Sequence, residues 1–166
     1  MQLTHYNTNF EKQKFPILLV CDNVSNAPNI GSLFRTADAF GIEKLILCGE
    51  DMSIGRKITK TSRATEKVVD YEIQESASEV INNLKNIGYQ IISLEITTES
   101  KPIHSIKFSK EKPLVLIIGD ENFGVSETIL EQSDEVIHID MFGQNSSMNV
   151  VQATNIALYE ITKQLL

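Results

Sequence analysis

The chain has 166 residues, 42% of them hydrophobic and 22% charged, ordinary values for a single soluble domain with one core. Its net charge of −7 argues against a protein that advertises a broad basic surface, although a sum leaves room for a local cationic patch. No apolar run approaches the ~20 residues of a membrane span, and the polar start MQLTHYNTNFEKQKF does not read as a signal peptide. Cys21 and Cys48 sit in apolar, strand-like runs and read as core thiols of a reduced, cytoplasmic protein. His5, His104 and His138 are scattered without Cys or His at ligand spacing, so no metal site is expected.

In chain order, PILLVCD (16–22) reads as a buried strand. A helix over 29–40 follows, with Ile30, Leu33, Phe34, Ala37 and Phe40 as its apolar stripe, Asn29 as cap and Gly41 at its end. Arg35 lies off that stripe and, taken alone, reads as a solvated arginine pairing with Asp38. A second strand spans 44–48. The segment 55-GRKITKTSR-63 then gathers Arg56, Lys57, Lys60 and Arg63 in a loop, equally a phosphate-binding patch or a solvated stretch. A short strand near 67–71 precedes a helix opened by a capping box, Ser76 with Glu79, and stopped by Gly88. Strands follow at 89–96 and 113–119, separated by a polar loop containing Pro102. A short helix after Ser126, a strand at 135–140 and a helix from near Asn149 to the end complete the chain. The last helix has Val150, Ala153, Ala157, Ile161 and Leu165 as its stripe.

Alternating strands and helices, with near-continuous apolar strands, predict an α/β fold: a parallel sheet with helices on both faces. Ligands of such sheets bind beyond the C-terminal strand ends, which directs attention to the loops after Cys48, Ile96, Ile118 and Ile139. GDENFGVSE (119–127) has glycines that admit close backbone approach. It lacks the lysine of a phosphate cradle, and Asp120, Glu121 and Glu127 would repel a polyphosphate. It reads either as a capped turn with solvated carboxylates or as the wall of a site for a neutral or cationic ligand, such as an adenosine carrying a sulfonium. The amide- and hydroxyl-rich 145–149 stretch either holds something polar or is a hydrated loop; Ser146 or Ser147 can cap the last helix.

Three segments, 29-NIGSLFRTADAFG-41, 119-GDENFG-124 and 139-IDMFGQNSSMNVV-151, stand in the order and with the spacing of the three motifs of the SpoU (TrmH-like) branch of the SPOUT superfamily. The sequence resembles that family of RNA ribose 2′-O-methyltransferases from about Ile17 to the C-terminus; residues 1–15 form an extension outside the resemblance, within a single domain of 1–166. Asp120 stands where Asn is usual, and Asp140, Met148 and Val151 replace the family's proline, leucine and last serine. The resemblance implies a deep trefoil knot near the C-terminus, S-adenosylmethionine bound by Leu94, Gly119, Ile139, Ser147 and Met148, no metal, and a homodimer sharing its active site. It further implies that Arg35 acts on the ribose 2′-hydroxyl, that Asn29 and Asn149 orient arginine and ribose, that Glu121 anchors them, and that Ser147 meets phosphate or cofactor. Arg35, Arg56, Lys57, Lys60 and Arg63 would form the RNA patch, with tRNA ahead of rRNA as substrate. Base methylation by a knotted relative, or an RNA-binding relative without catalysis, are the alternatives.

Overall fold

Alternate side chains of β1 (Phe15–Asp22) enter two different cores: Ile17, Leu19 and Cys21 join one hydrophobic cluster, Leu18 and Val20 the other. A strand behaves so when both faces are covered, because successive side chains point to opposite sides. The computed structural model describes residues 8–166. It contains six further strands: β2 (Ile42–Cys48), β3 (Tyr71–Gln74), β4 (Gln90–Leu94), β5 (Lys101–Pro102), β6 (Leu114–Gly119) and β7 (Glu135–His138). All pair in parallel, in the order β3-β2-β1-β6-β4-β7-β5. Five helices connect them: α1 (Ala27–Ala39), α2 (Arg56–Ser62), α3 (Ala77–Asn86), α4 (Glu127–Gln132) and α5 (Val150–Leu165). Residues of α1, α2 and α5 fill the first cluster, residues of α3 and α4 the second, so the sheet is helix-covered on both faces as expected.

Several boundaries differ from the sequence reading, each for a local reason. α1 begins at Ala27, and its cap is Asn26, whose Oδ1 accepts the Asn29 N–H at 3.1 Å. Pro28 tolerates the first turn because it has no N–H to satisfy, so the helix starts earlier and the Asn29 side chain is not used in capping. The basic segment is a helix rather than a loop. Ile58 and Ser62, one turn apart, are buried, and α2 lies so close to α1 that a Cβ on Gly31 would stand 2.6 Å from the Ile58 carbonyl oxygen. Arg63 and Ala64 then adopt left-handed φ of 52° and 69°, a 3-10 turn (Thr65–Lys67) follows, and the strand read near 67–71 starts only at Tyr71, as β3.

β4 and β7 are shorter than read, leaving Glu95, Ile96, Ile139 and Asp140 outside the sheet. The stretch read as a polar loop supplies β5, which pairs with β7 through Lys101 and Pro102. Ser76 Oγ accepts the Glu79 N–H at 3.3 Å, one half of a capping box. Neither Ser146 nor Ser147 caps α5; Asn149 does, its Oδ1 accepting the N–H groups of Val151 at 2.9 Å and Gln152 at 3.4 Å. Of the 1–15 extension, residues 1–7, His5 among them, lie outside the described residues, and Phe15 already belongs to β1. Cys21 and Cys48 are buried free thiols on neighbouring strands; burial pushes both upward, Cys48 to about 12. Among the described residues, no helix is long and apolar enough to cross a membrane, and no group of three His, Cys, Asp or Glu is placed to hold a metal ion.

Candidate active site

Beyond the C-terminal ends of β4, β6 and β7 lies a cavity of about 610 Å³. The five residues expected to hold the cofactor, Leu94, Gly119, Ile139, Ser147 and Met148, all line it, as do Asp120, Glu121 and Phe123. A larger cavity of about 720 Å³ beside β2, β3 and α3 is walled by Asp51, Glu72, Glu75 and Glu79 and contains no residue of the three motifs. We assign the site to the first cavity because two of the three segments, 119–124 and 139–151, line it.

The 119–125 loop owes its shape to its glycines. A Cβ on Gly119 would stand 2.1 Å from the Gly124 carbonyl carbon, a clash with backbone that no rotamer change relieves. Gly124 adopts φ +68° and donates its N–H to the Asp120 carbonyl at 2.8 Å, while Asp120 Oδ1 accepts the Asn122 N–H at 2.9 Å. Two carboxylates then suspend the far end of the loop. Glu95 Oε2 accepts the Val125 N–H at 2.9 Å, and Asp22 Oδ2, at the end of β1, accepts the Ser126 N–H at 2.9 Å. Asp22 is only 3% exposed, so its second bond, from Asn23 Nδ2 at 3.0 Å, helps satisfy an otherwise costly buried carboxylate. Neither Glu95 nor Asp22 was among the expected site residues. Their only sequence signal is an acid at the end of an apolar strand.

One amide joins the three motifs. Asn149 Nδ2 donates to Glu121 Oε1 at 2.6 Å and faces Asn29 Oδ1 at 3.3 Å, while Oδ1 of the same side chain caps α5. Asn29, Glu121 and Asn149 are thus brought together. Ser147 is exposed on the same loop and its N–H donates to Asn145 Oδ1 at 3.4 Å. Asp140, where the family has proline, sits 3.2 Å from His104 Nδ1 and 3.5 Å from His138 Nε2.

Arg35 is not brought to this network. It stands six residues beyond Asn29 on α1, about 9 Å along the axis and roughly 240° around it. Its side chain is exposed, and it makes no hydrogen bond or ion pair with any described residue, so the expected pairing with Asp38 does not form. Arg56, Lys57, Lys60 and Arg63 are likewise exposed, on or just after α2, which packs against α1.

Parallel strands ending on a part-apolar cavity, an acidic glycine loop and an amide-linked Asn-Glu-Asn triad make up the candidate site of an α/β domain. The SpoU rRNA Methylase family model matches residues 16–159, and the chain belongs to that family. It is 34% identical over 157 residues to a tRNA (guanosine(18)-2′-O)-methyltransferase of Aquifex aeolicus, covering 93% of this chain and 72% of that protein. It is 31% identical over 156 residues to the 23S rRNA (guanosine-2′-O-)-methyltransferase RlmB of Haemophilus influenzae, covering 91% of this chain and 61% of that protein. The crystal structure of the A. aeolicus TrmH/SpoU tRNA modifying enzyme superposes with a TM-score of 0.82 at 32% identity, over 93% of this chain and 77% of that one. An AdoMet-bound rRNA methyltransferase from Sinorhizobium meliloti shares the fold, with a TM-score of 0.84 at 24% identity over 95% of this chain and 59% of that one.

Proposed function

We infer that the chain is an S-adenosylmethionine-dependent RNA methyltransferase acting on a ribose 2′-hydroxyl. The observation that carries this reading is the Asn149 amide, which ties Glu121 and Asn29 together beside a cavity lined by Leu94, Gly119, Ile139, Ser147 and Met148. The cavity suits the cofactor: its glycines admit close approach, its wall mixes apolar side chains with loop backbone, and neither Lys nor Arg lines it. When bound, the cofactor supplies an activated methyl on a sulfonium, a leaving group that needs no metal.

In this reading Asn29 and Asn149 orient the ribose, Glu121 fixes the Asn149 amide, and Ser147 meets the phosphate or the cofactor. Arg35 grips the adjacent phosphate bidentately and polarises the hydroxyl; it does not serve as a base, because guanidinium stays protonated in proteins. Holding oxygen, methyl and sulfur in line is the main contribution, since positioning effects reach ~7–11 kcal/mol.

The active centre is completed in a homodimer. Arg35 lies off the face that meets Asn149, and Phe142, Ile156 and Tyr159 are exposed apolar side chains, 97%, 41% and 63% accessible, available to a second copy. The trefoil threading, the single-domain organisation of 1–166 and a cytoplasmic location, where two unpaired thiols would persist, belong to the same proposal. The RNA substrate is tRNA first and rRNA second in this reading; the tRNA-named relative is 34% identical and the rRNA-named one 31%.

The test is calorimetry with S-adenosylmethionine and S-adenosylhomocysteine, followed by methylation of unmodified tRNA and rRNA transcripts and nucleoside analysis. One cofactor per chain and a new 2′-O-methyl nucleoside are expected. A folded dimer that binds neither ligand, or a methyl found on a base, overturns the reading.

A further inference from the structure

Glu95 follows directly on β4 and lines the cavity beside Leu94. Both of its oxygens are committed to backbone: Oε1 accepts the Ile96 N–H and Oε2 the Val125 N–H, each at 2.9 Å. A Cβ on Gly124 would stand 2.3 Å from Oε2, so the carboxylate occupies the space that the missing glycine side chain leaves. Such a carboxylate is held in one place, with lone pairs to spare.

The other ionic groups of the lining do not offset that charge. Glu121 receives the Asn149 amide at 2.6 Å, and Asp120 receives the Asn122 N–H at 2.9 Å and the Ser25 hydroxyl at 3.5 Å. The basic side chain of the lining is His138, which faces Asp140 at 3.5 Å and the Ser100 hydroxyl at 2.9 Å. A cavity of this polarity binds a cation better than an otherwise equal neutral ligand.

We propose that Glu95 is a cofactor-site residue that pins the 119–125 loop to the end of β4 and supplies the fixed negative charge by which the cavity prefers the sulfonium cofactor to its neutral product. The proposal rests on the methyltransferase reading above. In that reaction the S–CH₃ bond breaks and an O–CH₃ bond forms. The hydroxyl proton goes to solvent, and sulfur keeps the bonding pair and loses its positive charge. The charge that Glu95 attracts is therefore present before transfer and gone after it. The residue retains the reactant and releases the sulfide.

The experiment compares wild type, Glu95→Gln and Glu95→Asp by calorimetry against S-adenosylmethionine and S-adenosylhomocysteine separately. Glu95→Gln keeps the volume and one acceptor oxygen but removes the charge. The expected result is an affinity for the sulfonium ligand about tenfold lower, with less than about threefold change for the sulfide, an effect of the size that a unit charge exerts across a partly buried site. Glu95→Asp restores the wild-type ratio of the two affinities. A Glu95→Gln protein that weakens for both ligands equally, or for neither, overturns the proposal, since a purely structural tie does not distinguish them. A wild-type chain that binds neither ligand overturns the methyltransferase reading and this proposal with it. A wild type that binds both, with an unchanged ratio in Glu95→Gln, removes this proposal alone.

Discussion

Asn149 Nδ2 donates to Glu121 Oε1 at 2.6 Å across 28 positions of sequence, and Oδ1 of the same side chain caps α5. The two roles can be separated. Serine also caps helices well but cannot span to Glu121, so Asn149→Ser should change stability by only about 0.5 kcal/mol while methyl transfer falls at least about a hundredfold. Asn149→Ala should lose about 1 kcal/mol in addition. Thermal melts alongside single-turnover rates decide the matter; equal stability losses in both variants would mean that the cap was misjudged.

Arg35 carries no structural duty, being exposed and unpaired among the described residues. Arg35→Ala is expected to leave stability within about 0.5 kcal/mol of wild type and to abolish methyl transfer. Arg35→Lys should rescue poorly, because lysine cannot make the planar two-point grip. Full activity in Arg35→Ala would remove this residue from the mechanism.

The exposed cations of α2 are expected to meet phosphate. Replacing Lys57 and Lys60 by Glu should weaken RNA binding and flatten its dependence on salt by about one or two units of log-log slope. Affinity for S-adenosylmethionine should stay unchanged. Filter binding over a salt series reads the first effect and calorimetry the second; undiminished RNA affinity at low salt would sink the assignment.

Gly119→Ala places a Cβ 2.1 Å from backbone that also forms the cavity wall. The loop must move, at a cost of about 1–3 kcal/mol, and cofactor binding should be lost even where the variant remains folded. A near-normal dissociation constant would show the loop to be more compliant than its geometry implies.

Burial raises the thiols of Cys21 and Cys48, the latter to about 12 from a reference of 9.0. Above pH ~9 the unfolded chain gives up these protons while the folded chain keeps them, so the stability they favour is full below that pH. It is lost progressively as pH rises toward the folded values, by about 1.4 kcal/mol per thiol per pH unit. Urea melts from pH 8 to 11 should show this fall, and Cys21→Ala with Cys48→Ala should lessen it. Native protein should resist thiol reagents until it unfolds.

What the chain reveals locally, it reveals well. The stripe Ile30, Leu33, Phe34 and Ala37 is buried, and the strand ends direct Leu94, Gly119 and Ile139 to one cavity, because period and strand termination are encoded within a few residues. Most of what was missed concerns partners far away in sequence. α2 is a helix because Gly31, in another element, lets Ile58 and Ser62 be buried. Glu95 and Asp22 reach N–H groups 30 and 104 residues away, and no local pattern marks an acid as a loop anchor. Asn29 looked like a cap because asparagine before an apolar run commonly is one; Asn26, three residues earlier, competes for that role and wins beside Pro28.

Gly31 leaves no slack between α1 and α2, since even one added carbon would strike the Ile58 carbonyl. The cationic helix is therefore bolted to the helix that carries Asn29 and Arg35, and a load applied to one is felt by the other. An RNA gripped at Lys57, as proposed, would thereby be indexed against the Asn149 triad on arrival, in the way a workpiece is clamped to the same bed as the tool.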